Sequence, residues 1–437
     1  MNTHKHQSPF VALAEPLLLW LFVGCRAIYF CMTFGREAGF DSGAHLEMVE
    51  RLGWFDFVLP IGRYFYSYHP PLGFLLAKFF TLFGFSPLQG VQLLNAIASV
   101  ATVLLVRATL RRCNLLDRPV PVFFLYLFAC LPIQLFLASS VNLDVVMAAI
   151  AALVTYLSVW LFWHGGTDKQ TRVTLALGIA VAIAAALLIK FSGLLFAGIP
   201  VLVALCSPQR TFKLAAGAGV LAAAGLLLIS PYYVSRYYLP TGHFFPTNLE
   251  IFASAEIAQA RAARDEKGLE FFLEMAKPSS FHGAAGQVGR DFDTMRLADA
   301  WQDVWVKENH MGPVRTPAAG RVLGQAERAA AGVLVIVGLL VTLLRLGRRD
   351  EWQRLGLVWL GFTCAQLGAF ISYLYSQPVA SWSPTKGIYL ACSLPILAYA
   401  LAVVVPEGSG RRIELIQKAA LVGVAVLLVA HHLLPIQ

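Results

Sequence analysis

What most limits the folds open to this chain is a recurring apolar run, each roughly the 20 residues that an α-helix needs to cross the hydrocarbon of a bilayer. Such stretches fall at 10–34, 92–110, 119–138, 144–163, 173–189, 191–206, 214–233, 326–345, 355–374, 387–405 and 413–430. One anchor would use only one of them, so the pattern predicts an all-α polytopic membrane protein with about eleven transmembrane helices. Composition agrees: 58% of the 437 residues are hydrophobic and 14% are charged, against about 45–50% and about 25% in soluble domains. An ordinary soluble enzyme is excluded. The first run follows the polar start Met1 to Ser8 and has no convincing small-residue cleavage site, so it reads as a retained helix and not as a signal peptide.

Charge sets the orientation. Lys and Arg number 34 against 25 Asp and Glu, a net charge of +9, which in a membrane protein points to loop topology and anionic lipid, not to nucleic acid. Arg107, Arg111, Arg112 and Arg118, then Lys169 and Arg172, Arg210 and Lys213, Arg345 to Arg354, and Arg411 with Arg412 fall on alternate short loops. Basic loops stay in the cytoplasm, so the N-terminus is expected inside. The two long connections, 35–91 and 234–325, then lie together on the opposite side. In the first, 43–53 and 71–84 read as helices lying in the membrane interface. In the second, 249–276 reads as an amphipathic helix before a Gly-rich region. The chain thus divides into an N-terminal transmembrane module, 1–233, an extracytoplasmic loop region, 234–325, and C-terminal transmembrane helices, 326–437.

Chemistry is expected on the outer side. Asp41 and His45 stand one helical turn apart directly after the first span; Asp41 is also a good N-cap for the helix it precedes, and a cap favours the ionised carboxylate that a general base needs. In Tyr64-Phe65-Tyr66-Ser67-Tyr68-His69-Pro70-Pro71, Tyr64 and Tyr66 read as interfacial belt aromatics, while Tyr68 and His69 have the better claim to a substrate. Asn142 and Asp144 occupy a tight outer turn, where capping is the default role. Lys190 follows Arg172 by a nearly complete span and so reaches the outer face, either as a snorkelling lysine or as a cation that needs an anion. Lys386, near Tyr389, repeats that position on another span, and Arg63 adds a cation from the first outer loop. Arg26, inside the first span, is a functional candidate with no evident partner. Asp291-Phe292-Asp293 has the form of a metal-binding DxD, a weak signal in three residues. The seven cysteines are an odd set with no CxxC, so neither a disulfide framework nor a zinc site is expected, and the sequence offers no support for a divalent metal or other cofactor.

The order of these residues resembles the GT-C membrane glycosyltransferases, and among them glycosyltransferase family 39, the protein mannosyltransferase and aminoarabinose transferase type. The resemblance rests on an Asp in the first outer loop, His69-Pro70-Pro71-Leu72 opening the second interface helix, and Phe83-Gly84 closing it. Asn142-Leu143-Asp144, Lys190 and Lys386-Gly387-Ile388-Tyr389 extend it. It covers the first 200 residues well and the last 60 loosely, and 234–325 aligns with nothing familiar. It implies that Asp41 is the catalytic residue and that the donor is a monosaccharide on a polyprenyl phosphate, transferred to an acceptor hydroxyl of a lipid, glycan or protein. Many members carry Asp-Glu where this chain has Asp41-Ser42, so the second carboxylate is absent and His45 is a candidate replacement.

On this reading Asp41 is the base, Lys190, Lys386 and Arg63 bind the donor phosphate, and His45, His69, Tyr68, Asn142, Asp144 and Tyr389 contact substrate. Two readings compete. A polytopic transporter or lipid flippase would carry its ionisable residues near the bilayer midplane and show inverted repeats; a non-catalytic protein that binds a lipid-linked sugar would keep the site without the base. The lack of any Asn-x-Ser/Thr site and the Ala/Leu-rich spans lean toward a bacterial inner membrane with the site in the periplasm, although an endoplasmic reticulum membrane fits the same topology.

Overall fold

The computed structural model describes residues 9–37, 42–54, 59–64, 66–164, 168–209, 211–247, 251, 254–276, 333, 335–344, 350–376, 391–408 and 410–433. Among them every regular element is helical. The N-terminal part runs α1 (Pro9–Thr33), α2 (Ser42–Arg51), α3 (Leu72–Phe79), α4 (Pro87–Arg112), α5 (Pro119–Cys130), α6 (Pro132–Ser139), α7 (Asp144–Trp163), α8 (Lys169–Ile189), α9 (Gly198–Cys206) and α10 (Phe212–Tyr233). Seven helices among the described residues are long and apolar enough to cross a membrane, and eight if the pair α5 and α6, bent by 49°, forms one span. The chain is an integral membrane protein.

Among the described residues the count thus stands at seven or eight, against about eleven expected. Stretches 191–206, 326–345 and 387–405 appear as the shorter apolar helices Phe191–Cys206, Val335–Leu344 and Ala391–Ala402. The first opens as a 3-10 segment, Phe191–Ala197, and at about 2.0 Å per residue there and about 1.5 Å in α9 it still reaches about 27 Å. The other two stretches include residues outside those described. In the second long connection one amphipathic helix was expected over 249–276; two are present, Ser254–Lys267 and Leu269–Ala276, because Gly268 takes a left-handed φ of +52° between them.

Local signals account for the boundaries. Ser86 and Gln89 form a reciprocal capping box ahead of α4, with Pro87 at its first position. Asp168 caps α8 and Thr211 caps α10 through their side chains. In the bundle α4 packs along α7, α7 along α8 and α8 along α10, while the C-terminal helix Arg411–Leu433 packs against α5 and α1. The two helices expected in the first long connection are present as α2 and α3. Gly90 lets α4 approach α3: a Cβ there would stand 2.5 Å from the Ala77 carbonyl oxygen.

Arg26 has partners that the sequence did not reveal. Pro132 interrupts α5–α6 and lacks an N–H, so carbonyls at the bend lose their helical donors. The Arg26 guanidinium donates to Ala129 O and Gln134 O, each at 3.0 Å, and His431 Nδ1 lies 2.8 Å from Cys130 O. Arg26 is a structural cation that closes the broken span. Arg107, read as a loop residue, lies within α4 and pairs with Glu15 of α1 at 2.6 and 3.0 Å. Glu15 also accepts from the Tyr126 hydroxyl.

Candidate functional site

A polar stripe on α4 organises the end of the bundle where α4 begins. Gln92, Asn95, Ser99 and Thr102 recur at helical spacing and are buried. Gln92 accepts from Gly35 N at 2.8 Å and donates to Arg36 O at 2.9 Å and Ser139 O at 3.0 Å. Asn95 donates to Ser140 O at 2.7 Å and Asn142 O at 2.8 Å. One face of α4 thereby fixes both the turn after α1 and the turn before α7. Four polar residues on one face of an otherwise apolar span were the sequence signal for this role.

The turn before α7 divides the labour between its two polar residues. Asn142 closes the turn, its Oδ1 accepting from Asp144 N at 2.9 Å while its amide donates to Ser140 Oγ. Asp144 is not the cap, as the default reading had it: it begins α7, and its Oδ1 stands 2.7 Å from Lys190 Nζ. Lys190 is the extended residue at which α8 ends and the 3-10 segment begins. Its anion is thus supplied from 46 residues upstream. The side chains are 20% and 10% exposed, so the pair is partly shielded from solvent and its attraction is stronger than that of a surface pair.

Residues 66–74 meet this pair. Gly73 allows the approach, since a Cβ there would stand 2.7 Å from Leu143 Cδ1 and 3.2 Å from Ile189 Cγ2, side chains adjoining Asp144 and Lys190 in the chain. His69 lies among rings, with centroids 4.3 Å from Tyr68, 4.8 Å from Tyr66 and 6.4 Å from His45, and it stacks on Phe191 at 6.4 Å. Burial, then the charges of Lys190 and His45, hold the His69 imidazole well below its ordinary range. It is neutral near pH 7, with one nitrogen to donate and one to accept. Tyr66, read as a belt residue, is packed into this cluster beside His45 at 4.5 Å.

The structure thus brings together His45, Tyr68, His69, Asn142, Asp144 and Lys190 at one end of the bundle. It does not bring Arg63 among them: Arg63 is exposed, with its guanidinium 5.6 Å from the Tyr64 ring. Asp41, Lys386, Tyr389 and Asp291-Phe292-Asp293 lie outside the described residues. Two further residues of this region escaped the sequence reading. Phe191 bridges His69 to Tyr233, Tyr237 and Phe245. Glu37 accepts from Ser42 Oγ at 2.5 Å, so a carboxylate stands beside Ser42. Among the described residues no three His, Cys, Asp or Glu side chains gather as metal ligands.

Comparison with known proteins adds a family match. Residues 68–234 match the family described as dolichyl-phosphate-mannose-protein mannosyltransferase. The resemblance to the GT-C membrane glycosyltransferases therefore holds over the stretch that carries Tyr68, His69, Asn142, Asp144 and Lys190. Among solved structures, the chain is similar to ArnT from Cupriavidus metallidurans in the apo state, with 16% identity over 89% of this chain and 78% of that one and a TM-score of 0.43. ArnT bound to undecaprenyl phosphate gives 16% identity over 87% and 77%, again at 0.43. The S. cerevisiae protein O-mannosyltransferase Pmt1-Pmt2 complex bound to the sugar donor gives 18% identity over 52% of this chain and 34% of that one, with a TM-score of 0.39. No curated protein matches the chain.

Proposed function

We propose that this integral membrane protein is a glycosyltransferase that moves a monosaccharide from a polyprenyl phosphate to an acceptor hydroxyl on the extracytoplasmic side. The observation that carries the reading is the junction of the Lys190–Asp144 pair with the His45, Tyr68 and His69 cluster, inside the segment that matches the mannosyltransferase family. Asp144 fixes the Lys190 ammonium in place, so a departing lipid phosphate meets a preorganised positive charge in a partly dehydrated site, where such stabilisation is worth most. Lys386 adds a second cation on the same reading. Neutral His69, with Tyr68, offers hydrogen bonds and a ring face to the sugar. Asp41 takes the proton of the acceptor hydroxyl, a contribution of roughly 10²–10⁴ in rate, and direct displacement inverts the anomeric carbon. Glu37 beside Ser42 supplies carboxylate chemistry next to that base. The membrane is a bacterial inner membrane, with the site in the periplasm.

The test is release of free polyprenyl phosphate from a panel of polyprenyl-phosphate monosaccharides in proteoliposomes, with a crude lipid and protein extract as acceptor. Wild type releases it from one donor, and Asp41→Asn slows release by at least about a hundredfold. No release from any donor by folded wild type would reject the transferase reading, and an Asp41→Asn rate within about tenfold of wild type would reject the base.

A further inference from the structure

Beyond the end of α10 the helix widens into a π turn, Val234–Tyr238, a rare conformation that is frequent at functional sites. Pro231, three residues earlier, lacks the N–H that would reach Leu227 O, and the Ser230 hydroxyl takes that carbonyl at 3.0 Å instead. The turn carries Arg236, which is partly buried. Its Nη2 donates to Ser67 O at 3.0 Å and to Leu59 O. Its guanidinium also stands 5.7 Å from the ring of Tyr237. Among the described residues Arg236 forms no ion pair, and its charge acts on two backbone carbonyls and on the Tyr232 hydroxyl.

Those carbonyls bracket a loop. Between them Ser67 Oγ donates to Tyr64 O at 2.7 Å and accepts from Gly62 N at 3.0 Å, and His69 N donates to Tyr66 O at 2.9 Å. The next residues after Ser67 are Tyr68 and His69. A cation that holds both ends of this loop sets the direction from which the two rings enter the site. The link spans 177 residues to Leu59 and 169 to Ser67.

We propose that Arg236 is a positioning residue: by bridging the Leu59 and Ser67 carbonyls it fixes the loop that presents Tyr68 and His69, and so sets how a sugar-bearing substrate is held there. The catalytic half of this statement rests on the transferase reading; the conformational half does not. Hydrogen–deuterium exchange of the Gly62, Ser67 and His69 amides is measured in wild type, Arg236→Gln and Arg236→Lys, with the amides of α4 and α7 as the folding control. Exchange is at least about tenfold faster in Arg236→Gln and intermediate in Arg236→Lys, which keeps a charged donor. In transfer assays Arg236→Gln lowers kcat by about ten- to a hundredfold, the scale of an ångström-level misplacement, with donor KM within about threefold, and Arg236→Lys recovers part of kcat.

Wild-type exchange in Arg236→Gln would overturn the proposal. So would a donor KM raised more than about tenfold with kcat retained, which would make Arg236 a ligand of the donor. If Arg236→Gln fails the folding control, Arg236→Lys decides by the same two readouts. If wild type transfers nothing, the transferase reading falls, and the exchange result alone decides whether Arg236 orders the loop.

Discussion

At the residue scale, the site is a set of charges and rings whose properties come from their neighbours. His69 is an ordinary imidazole in sequence, yet burial with Lys190 and His45 nearby depresses its affinity for protons. The unfolded chain, with an ordinary value of about 6.5, then binds a proton that the native state refuses. Stability rises with pH wherever the unfolded state holds more protons, so His69 costs nothing above that value and draws stability down as the pH falls below it. The thermal unfolding midpoint of wild type in detergent therefore drops more between pH 7 and pH 5 than that of His69→Gln. Equal drops would show that the imidazole is not held neutral by its surroundings. The same dependence on neighbours makes Lys190 readable only with Asp144. Either side chain alone would be a costly charge at the edge of the hydrocarbon; together each answers the other's field.

At the scale of elements, breaks in helices matter as much as the helices. The bend between α5 and α6 leaves backbone carbonyls inside the membrane, where no water can pair them. Arg26 repairs it from α1, and the turns that follow lead into Asn142 and Asp144. Arg26→Met removes the donors to Ala129 O and Gln134 O. It is expected to cost about 3–6 kcal/mol, as for two hydrogen bonds from a charged group, read as a lower unfolding midpoint in detergent, and Arg26→Lys recovers part of the loss. A midpoint unchanged in Arg26→Met would mean that the bend supports itself. The end of α8 works in the same way: the chain turns at Lys190 into a 3-10 segment, and Gly193 lies so close to the α8 backbone that a Cβ would stand 2.5 Å from the Ala186 carbonyl carbon. That close return seats Phe191 against His69.

At the scale of the whole molecule, the two ends of the bundle are built differently. One end carries ion pairs that tie the N-terminal spans to the C-terminal ones, as in Arg118 with Glu407 at 2.7 Å. There Arg354 also donates to Cys206 O at 3.0 Å. The other end carries the rings around His69 and the Lys190–Asp144 pair. If the basic end is cytoplasmic, a membrane-impermeant thiol reagent applied to intact spheroplasts labels His243→Cys directly, and labels Lys169→Cys only after permeabilisation. Both changes are made in a background without the seven native cysteines, at positions exposed in the structure. The reverse pattern would invert the topology and move the proposed site to the cytoplasm.

Membrane class was legible in the sequence because it depends on local composition: a run of apolar residues is a run wherever it folds, and basic loops need no partner to be counted. The interface helices at α2 and α3, and the candidacy of Lys190 and His69, came from the same kind of local reading. The span count was less legible, since hydropathy does not distinguish a 3-10 opening such as Phe191–Ala197 from regular helix. Partnership was not legible at all. Asp144 meets Lys190 across 46 residues, Arg26 meets Gln134 across 108 and Arg236 meets Leu59 across 177. The sequence by itself determined that this chain crosses a membrane repeatedly and which residues are chemically equipped to act. The tertiary structure decided which of them meet, because charges and hydrogen bonds act through space and only packing brings distant segments within their reach.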